Sequence, residues 1–287
     1  DRHLVGYRGR ILRQGSLLGL PLNLQFGTSI RFDRVNDNEL SYTLNRETTL
    51  GNVALGDVTE LNAALFAEAN WQLSPKLRAQ GALRYDRFRF QYLDQLQTLY
   101  NPQAVADGIL SPKLSLFYQV ADQWQLFARA ARGFHSNDTR LILAQEVGSS
   151  LPAAVSLDAG AIFRLGKSVV GQVNLWQLDL EQEFVYVGDE GIVEPSGATL
   201  RRGVEGSLRW QLQRNLFADA NFTYTHARSK TDEEADRIPL APVWTSTGGI
   251  TYRTQQGWQG ALRYRWLGDR PADETYSLTA TGYFLLD

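Results

Sequence analysis

The groups that could do chemistry are few and scattered. There are three histidines, His3, His135 and His226, and no two stand at the His-x-x-x-His spacing that seats a metal on one helical face. There is no cysteine, which excludes thiolate ligands and disulfides together. His135-Ser136-Asn137 sets a base beside a hydroxyl, but a nucleophile and its base meet through the fold and not through adjacency in sequence. No Gly-x-Ser-x-Gly elbow and no phosphate-cradling glycine loop occurs. Asp232-Glu233-Glu234 with Asp236 is an acidic run that reads first as a solvated loop. These residues imply no enzyme, no resident cofactor and no metal centre.

The bulk properties narrow the classes further. The chain has 287 residues, is 43% hydrophobic and carries a formal charge of -2. That composition suits a folded chain, and the charge leaves no electrostatic footprint for nucleic acid. No apolar run approaches the roughly 18 residues of a transmembrane helix. A helical membrane protein is excluded; a membrane barrel, whose signal per segment is weak, is not.

The elements that must position these groups are strands. In Gly203–Thr225, Val204, Gly206, Leu208, Trp210 and Leu212 alternate with Glu205, Ser207, Arg209 and Gln211. On the return arm Leu216, Ala218, Ala220, Phe222 and Tyr224 alternate with Phe217, Asp219, Asn221 and Thr223. Successive side chains of a strand point to opposite faces, so each arm has one apolar and one mostly polar face. The pattern recurs at Leu20–Asp33, Thr59–Leu73, Leu77–Asp86, Lys113–Val120, Trp124–Phe134, Val155–Leu165, Val169–Val187, Val243–Arg253 and Trp258–Leu267, with a further strand beginning in Leu278–Asp287. Leu4–Leu12 is less regular.

The connections sort by length. Short turns such as Ser74-Pro75-Lys76, Ala121-Asp122-Gln123, Gly166-Lys167-Ser168 and Gln213-Arg214-Asn215 alternate with long polar segments near 35–57, 93–111, 135–152, 188–199, 227–241 and 268–277. Outer-membrane barrels have this parity, with tight periplasmic turns and long outer loops, whereas a soluble sandwich has Greek-key connections. Trp258 and Trp266 bracket Gly260, Leu262 and Tyr264 on one face, opposite Gln259, Arg263 and Arg265. Eight such residues, tilted about 40°, cover roughly 20 Å of height, close to the apolar band of about 25 Å between aromatic girdles. The expected fold is all-β: an antiparallel up-and-down transmembrane β-barrel with about 12–13 strands present, its apolar flank toward lipid.

Several segments carry a family resemblance. Gly133–Arg140 (GFHSNDTR), Glu181–Gly197 (EQEFVYVGDEGIVEPSG), Arg201–Glu205 (RRGVE) and Ile238–Pro242 (IPLAP) resemble barrel motifs of TonB-dependent outer-membrane receptors, closest to those of Bacteroidetes-type bacteria. The likeness runs from about Gln25 onward. It implies that residues 1–287 are part of a 22-stranded barrel in the bacterial outer membrane, with the family's plug domain and TonB box absent from them. It implies active uptake of a scarce nutrient, by default a ferric siderophore. Its partners would be outer-membrane lipid, a small siderophore-like ligand and the TonB complex, reached through a missing N-terminal region. The candidate ligand contacts are His135, Asn137, Asp138 and Arg140, as polar and charged groups near the outer rim, and the ring of Tyr186. A passive porin-like channel is the alternative; an outer-membrane hydrolase using Ser136 and a purely adhesive barrel are weaker ones.

Overall fold

The structure is a computed structural model that describes residues 1–97, 103–137, 139–143, 149–187, 192–195, 197–230 and 235–287; the side chains of 140, 141, 184–187 and 192–195 lie outside that description. Its strands are β1 (Arg2–Leu17), β2 (Leu20–Leu44), β3 (Thr48–Gln72), β4 (Leu77–Asp94), β5 (Gln103–Ala121), β6 (Trp124–Phe134), β7 (Ala153–Leu165), β8 (Val169–Leu180), β9 (Phe184–Val187), β10 (Ile192–Pro195), β11 (Thr199–Gln213), β12 (Leu216–Ser229), β13 (Trp244–Arg253), β14 (Gln259–Leu267), β15 (Arg270–Pro271), β16 (Thr279–Ala280) and β17 (Tyr283–Leu286). A single short helix, α1 (Thr139–Leu143), is described between β6 and β7. Thirteen strands form one sheet in the order β1-β2-β3-β4-β5-β6-β7-β8-β11-β12-β13-β14-β17, and two small hairpins, β9-β10 and β15-β16, stand apart from it. Each sheet strand pairs with its neighbour in sequence, as the alternating turns require. β1 and β17 are the sheet's two edges.

The chain divides into two compact units. The first comprises residues 1–71, 81–113 and 132–153; the second comprises 72–80, 114–131 and 154–287. In the first, the register Val5↔Phe32↔Leu61 and Tyr7↔Ile30↔Ala63 continues one apolar face across β1, β2 and β3. In the second, Ala159↔Leu175↔Val204↔Tyr224↔Trp244 does the same across β7, β8, β11, β12 and β13. Directly paired residues share a face, so alternation within each strand becomes sidedness of the whole ladder.

That apolar face is not covered. Leu65 is 66% exposed, and Phe26, Ile30, Leu83, Leu175, Trp210, Ile250 and Leu262 are exposed with it. Burying one such side chain is worth about 1.5–3 kcal/mol, while a whole domain is stable by only about 5–15 kcal/mol. Groups left in water would contribute none of this, and so broad a contiguous apolar face marks a surface that meets another apolar phase; acyl chains supply the burial that a second layer would otherwise give. A second layer sealing this flank, as in a sandwich, does not occur among the described residues. No described helix is long and apolar enough to cross a membrane, which says nothing about crossing with strands.

Several segments differ from the sequence reading. The long segment expected near 93–111 already holds the first half of a strand, since β5 starts at Gln103 and not at Lys113. Residues 35–57, expected as a loop, continue β2 and β3 as a hairpin closed at Asn45 and Arg46, both with positive φ. Two left-handed residues give the tight turn whose twist matches the strands, and Asn tolerates that conformation. The pairing shifts register between Val35 and Asn38, Leu40 and Ser41, and Tyr42 and Thr43, which erases the period that would have revealed the strands. The strand expected to run through Val187 stops instead at Leu180, and Phe184–Val187 pairs with Ile192–Pro195 in the small β9-β10 hairpin.

Candidate functional site

In the first unit the polar face carries a charged ladder. The carboxylate of Asp33 accepts from Arg2 Nε at 2.9 Å and from Arg31 Nη2 at 3.0 Å. Further along, Asp86, 1% exposed, accepts two bonds of 2.7 Å from Arg84 and one of 3.1 Å from Asn62, while Arg84 also reaches Ser29 Oγ at 3.2 Å. A carboxylate this deep requires such charge-assisted bonds, because an unpaired one would cost several kcal/mol.

Next to this ladder the same face turns apolar. Phe88 and Phe90 stack with centroids 5.5 Å apart, Phe134 meets Phe88 edge-on at 5.6 Å, and Ile109, Ile142 and Leu151 complete the cluster. Phe90 is fully buried. Ile142 belongs to α1 and Leu151 to the segment after it, so the β6–β7 connection folds down onto the polar face and is held by these rings. Sequence reading missed this cluster. The available signal was that Phe88 and Phe90 fall on the parity of Arg84 and Asp86, where alternation calls for polar groups.

The folded connection fixes two of the candidate residues. Asn137 is buried; its Nδ2 donates to Ser149 O at 2.6 Å and its backbone N–H to Ser150 O at 3.1 Å. The backbone N–H of His135 donates to Pro152 O at 3.4 Å. These bonds zip 135–137 against 149–152. Asn137 and Thr139 then border a cleft of about 250 Å³ with Arg2, Asp33, Asn38 and Glu60. Asn137 therefore positions the connection as well as lining the cleft, and His135 is held a step behind it. Asp138 and the acidic residues Asp232, Glu233 and Glu234 lie outside the described residues. Arg140 is described only as part of the α1 backbone, and Tyr186 only through its backbone pairing with Val193.

The second unit has its own polar-face chemistry. Arg78 and Arg129 sit 4.6 Å and 5.5 Å from the ring of Phe117, and Arg129 lies 4.5 Å from that of Phe127. Guanidinium groups ordered on rings keep donors free for anions. At the long-loop end, Glu183 takes Arg201 and the hydroxyl of Thr199, the latter at 2.8 Å, and Lys230 pairs with Asp179 at 2.6 Å. In the loop after β14, Asp273 accepts from the Ser277 hydroxyl and from the backbone N–H groups of Ser277 and Leu278 at 2.8 Å and 3.1 Å. Those donors, the hydroxyl foremost, hold its carboxyl below the usual range. Among the described residues no cluster of three or more His, Asp or Glu has the arrangement of a metal site.

A family model described as "TonB dependent receptor-like, beta-barrel" matches residues 3–287. Among solved structures, the ferric citrate transporter FecA in its unliganded form is similar at 14% identity and TM-score 0.84, covering 99% of this chain and 46% of that one. The ferric yersiniabactin uptake receptor FyuA from Yersinia pestis is similar at 15% identity and TM-score 0.74, with coverages of 100% and 46%. The copper transporter OprC is similar at 16% identity and TM-score 0.74, with coverages of 99% and 47%. The chain thus spans about half the length of the structures it matches, and at these identities the likeness establishes the fold.

Proposed function

This chain belongs to the TonB-dependent receptor family, within its β-barrel, and from that premise we propose that it forms part of an outer-membrane receptor for active uptake of a scarce nutrient, by default a ferric siderophore. One observation carries the reading: a single sheet joins an uncovered apolar flank to a flank of ion pairs onto which a connecting loop folds. A passive pore shares the first two features; the folded connection, which brings Asn137 to the cleft, is the feature we read as serving ligand contact.

The family's members sit in the bacterial outer membrane, and this barrel lies there. We infer that residues 1–287 supply about half of the receptor, since each matched structure is roughly twice as long. The energising TonB complex would engage a segment outside these residues. The matched structures, a ferric citrate transporter, a ferric yersiniabactin uptake receptor and a copper transporter, support a metal ion or metal complex as the cargo class. The cleft beside Asn137, with Arg2 and Glu60 on its wall, is the proposed contact for the polar rim of such a chelate. His135, Asp138, Arg140 and Tyr186 are proposed around it as loop contacts. No bond-breaking step is assigned, because the family and the matched structures are transport receptors.

The test uses the complete receptor in cells. Radiolabelled ferric siderophore accumulates when the TonB complex is present and fails to accumulate when it is deleted. The same protein in planar bilayers stays nearly silent. Steady conductance without energy-dependent uptake overturns the receptor reading and favours the pore.

A further inference from the structure

Above the cleft of the first unit, the inner flank of β2 turns apolar. Val35 faces Val58 and Asn38 faces Gly56, so Asn36 and Asp37 stand opposite Asp57 alone. A bulge of this kind exchanges the two faces of the strand that carries it. Asp37 takes the left-handed conformation at φ 51°, and its backbone N–H donates to Asp57 Oδ1 at 3.0 Å. The same oxygen accepts from Gln95 Nε2 at 3.0 Å, so the neighbouring chain holds the bulge in place. Simple alternation would put Leu40, Tyr42 and Leu44 on the lipid flank with Phe32 and Arg34. After the bulge they share instead the flank of Val35, Asn38, Val58 and Glu60, which line the cleft. All three are more than half exposed.

Lipid does not reach this stripe. Leu22 faces Trp71 at the short-turn end, and the eighteen steps from Leu22 to Leu40 rise about 45 Å on a tilted strand, past an apolar band of about 25 Å. Across the hairpin the stripe faces Ala54, Gly51 and Thr48, and a Cβ on Gly51 would meet open space. From Leu40 to Leu44 it runs about 13 Å and is one side chain wide. A stable protein interface covers about 800 Å² on each partner, far more than three side chains offer. A narrow apolar line that continues a polar cleft suits a hydrocarbon chain attached to a polar head.

We propose that Leu40, Tyr42 and Leu44 take a linear acyl arm of the cargo while the cleft holds its metal-chelating head, so that the substrate class is an acylated, amphiphilic chelate. The inference rests on the receptor reading for the head and adds the arm to it. The stripe leaves water only if the ligand itself brings methylenes, and a chelate without an arm would leave it wet.

The probes are the ferric complexes of octanohydroxamic and acetohydroxamic acids, which share metal, head and charge and differ only in arm length. Binding is measured on the full-length protein in nanodiscs. The wild type holds the octano complex about tenfold tighter, the effect of burying a small part of its extra methylenes. Leu40→Ser with Leu44→Ser brings the two affinities together, while Leu40→Met with Leu44→Met keeps them apart. Gly51→Phe, which fills the space beside Tyr42, also narrows the difference. Thr43→Ser, on the other face of the hairpin, changes nothing. Heat-dependent gel mobility confirms that each variant has folded. Equal affinity of the wild type for the two complexes overturns the proposal. So does a difference that persists in the double serine variant, which would report partitioning into the nanodisc lipid. Energy-dependent uptake of ferric siderophore is a separate readout: where it persists beside equal affinities, the receptor reading stands and the acyl arm alone falls.

Discussion

At Gly249 the absence of a side chain joins three strands. Asp219, Gly249 and Arg263 lie in one row across β12, β13 and β14. Arg263 passes over Gly249 to donate from Nη1 and Nη2 to Asp219 at 2.5 Å and 3.0 Å. A Cβ on Gly249 would come within 2.2 Å of the Leu262 carbonyl oxygen and 2.9 Å of Arg263 Cδ. The first contact is with backbone, which cannot swing aside. Gly249→Ala is expected to destabilise the barrel by about 1–3 kcal/mol, the range for overpacking. Gly260, on the neighbouring strand, has open space where its Cβ would stand, so Gly260→Ala is expected to be neutral. Thermal unfolding in detergent separates the two. Equal midpoints for both variants would mean that β13 yields freely at this point and that Gly249 has no structural role. The ion pair itself is exposed and screened by solvent, so the steric contact decides the outcome.

At the scale of the element, the β6–β7 connection is the piece that distinguishes this sheet from a plain wall. Its hold on the polar face comes from Ile142 and Leu151 against Phe88 and Phe90, with Asn137 zipped to 149–150. Phe90→Ala removes the centre of that cluster, a loss of about 3–5 kcal/mol at a fully buried ring. Local opening is then expected: amide hydrogen exchange quickens across 135–143 and 149–153 while the β2–β3 hairpin keeps its protection. Unchanged exchange would show that the rings do not anchor the connection. Much of this element was illegible beforehand. The strands were readable because Leu61, Ala63, Leu65 and Ala67 alternate with polar groups and must all find one flank. Phe88 and Phe90 instead break alternation for a partner far along the chain, and no local period encodes that. The 35–57 hairpin was hidden for the opposite reason: beyond the membrane neither face must be apolar, so bulged strands held by backbone bonds look like loop. Of the candidate site, motif likeness singled out Asn137, whereas the wall it lines, Arg2, Asp33 and Glu60, comes from strands more than seventy residues earlier that only the fold brings near.

At the scale of the molecule, everything depends on which flank meets lipid, and a pair of substitutions decides it. Leu65 lies on the apolar flank of β3, six residues from Trp71 at the short-turn end, and is 66% exposed. Six residues on a tilted strand rise about 15 Å, near the middle of an apolar band of about 25 Å. A guanidinium there would sit in hydrocarbon, so Leu65→Arg is expected to cost about 2–4 kcal/mol of folding free energy in bilayers. Gln25 faces Glu68 across the β2–β3 register on the polar flank. Gln25→Arg puts the same charge on a wet surface opposite a carboxylate and is expected to change stability by less than about 1 kcal/mol. Refolding into phosphatidylcholine vesicles, scored by the mobility difference between folded and heat-unfolded protein on gels, measures both. If Leu65→Arg inserts as well as the wild type and Gln25→Arg does not, the flanks are reversed, and the ion-pair ladder would have to face the membrane, where each unpaired charge costs several kcal/mol.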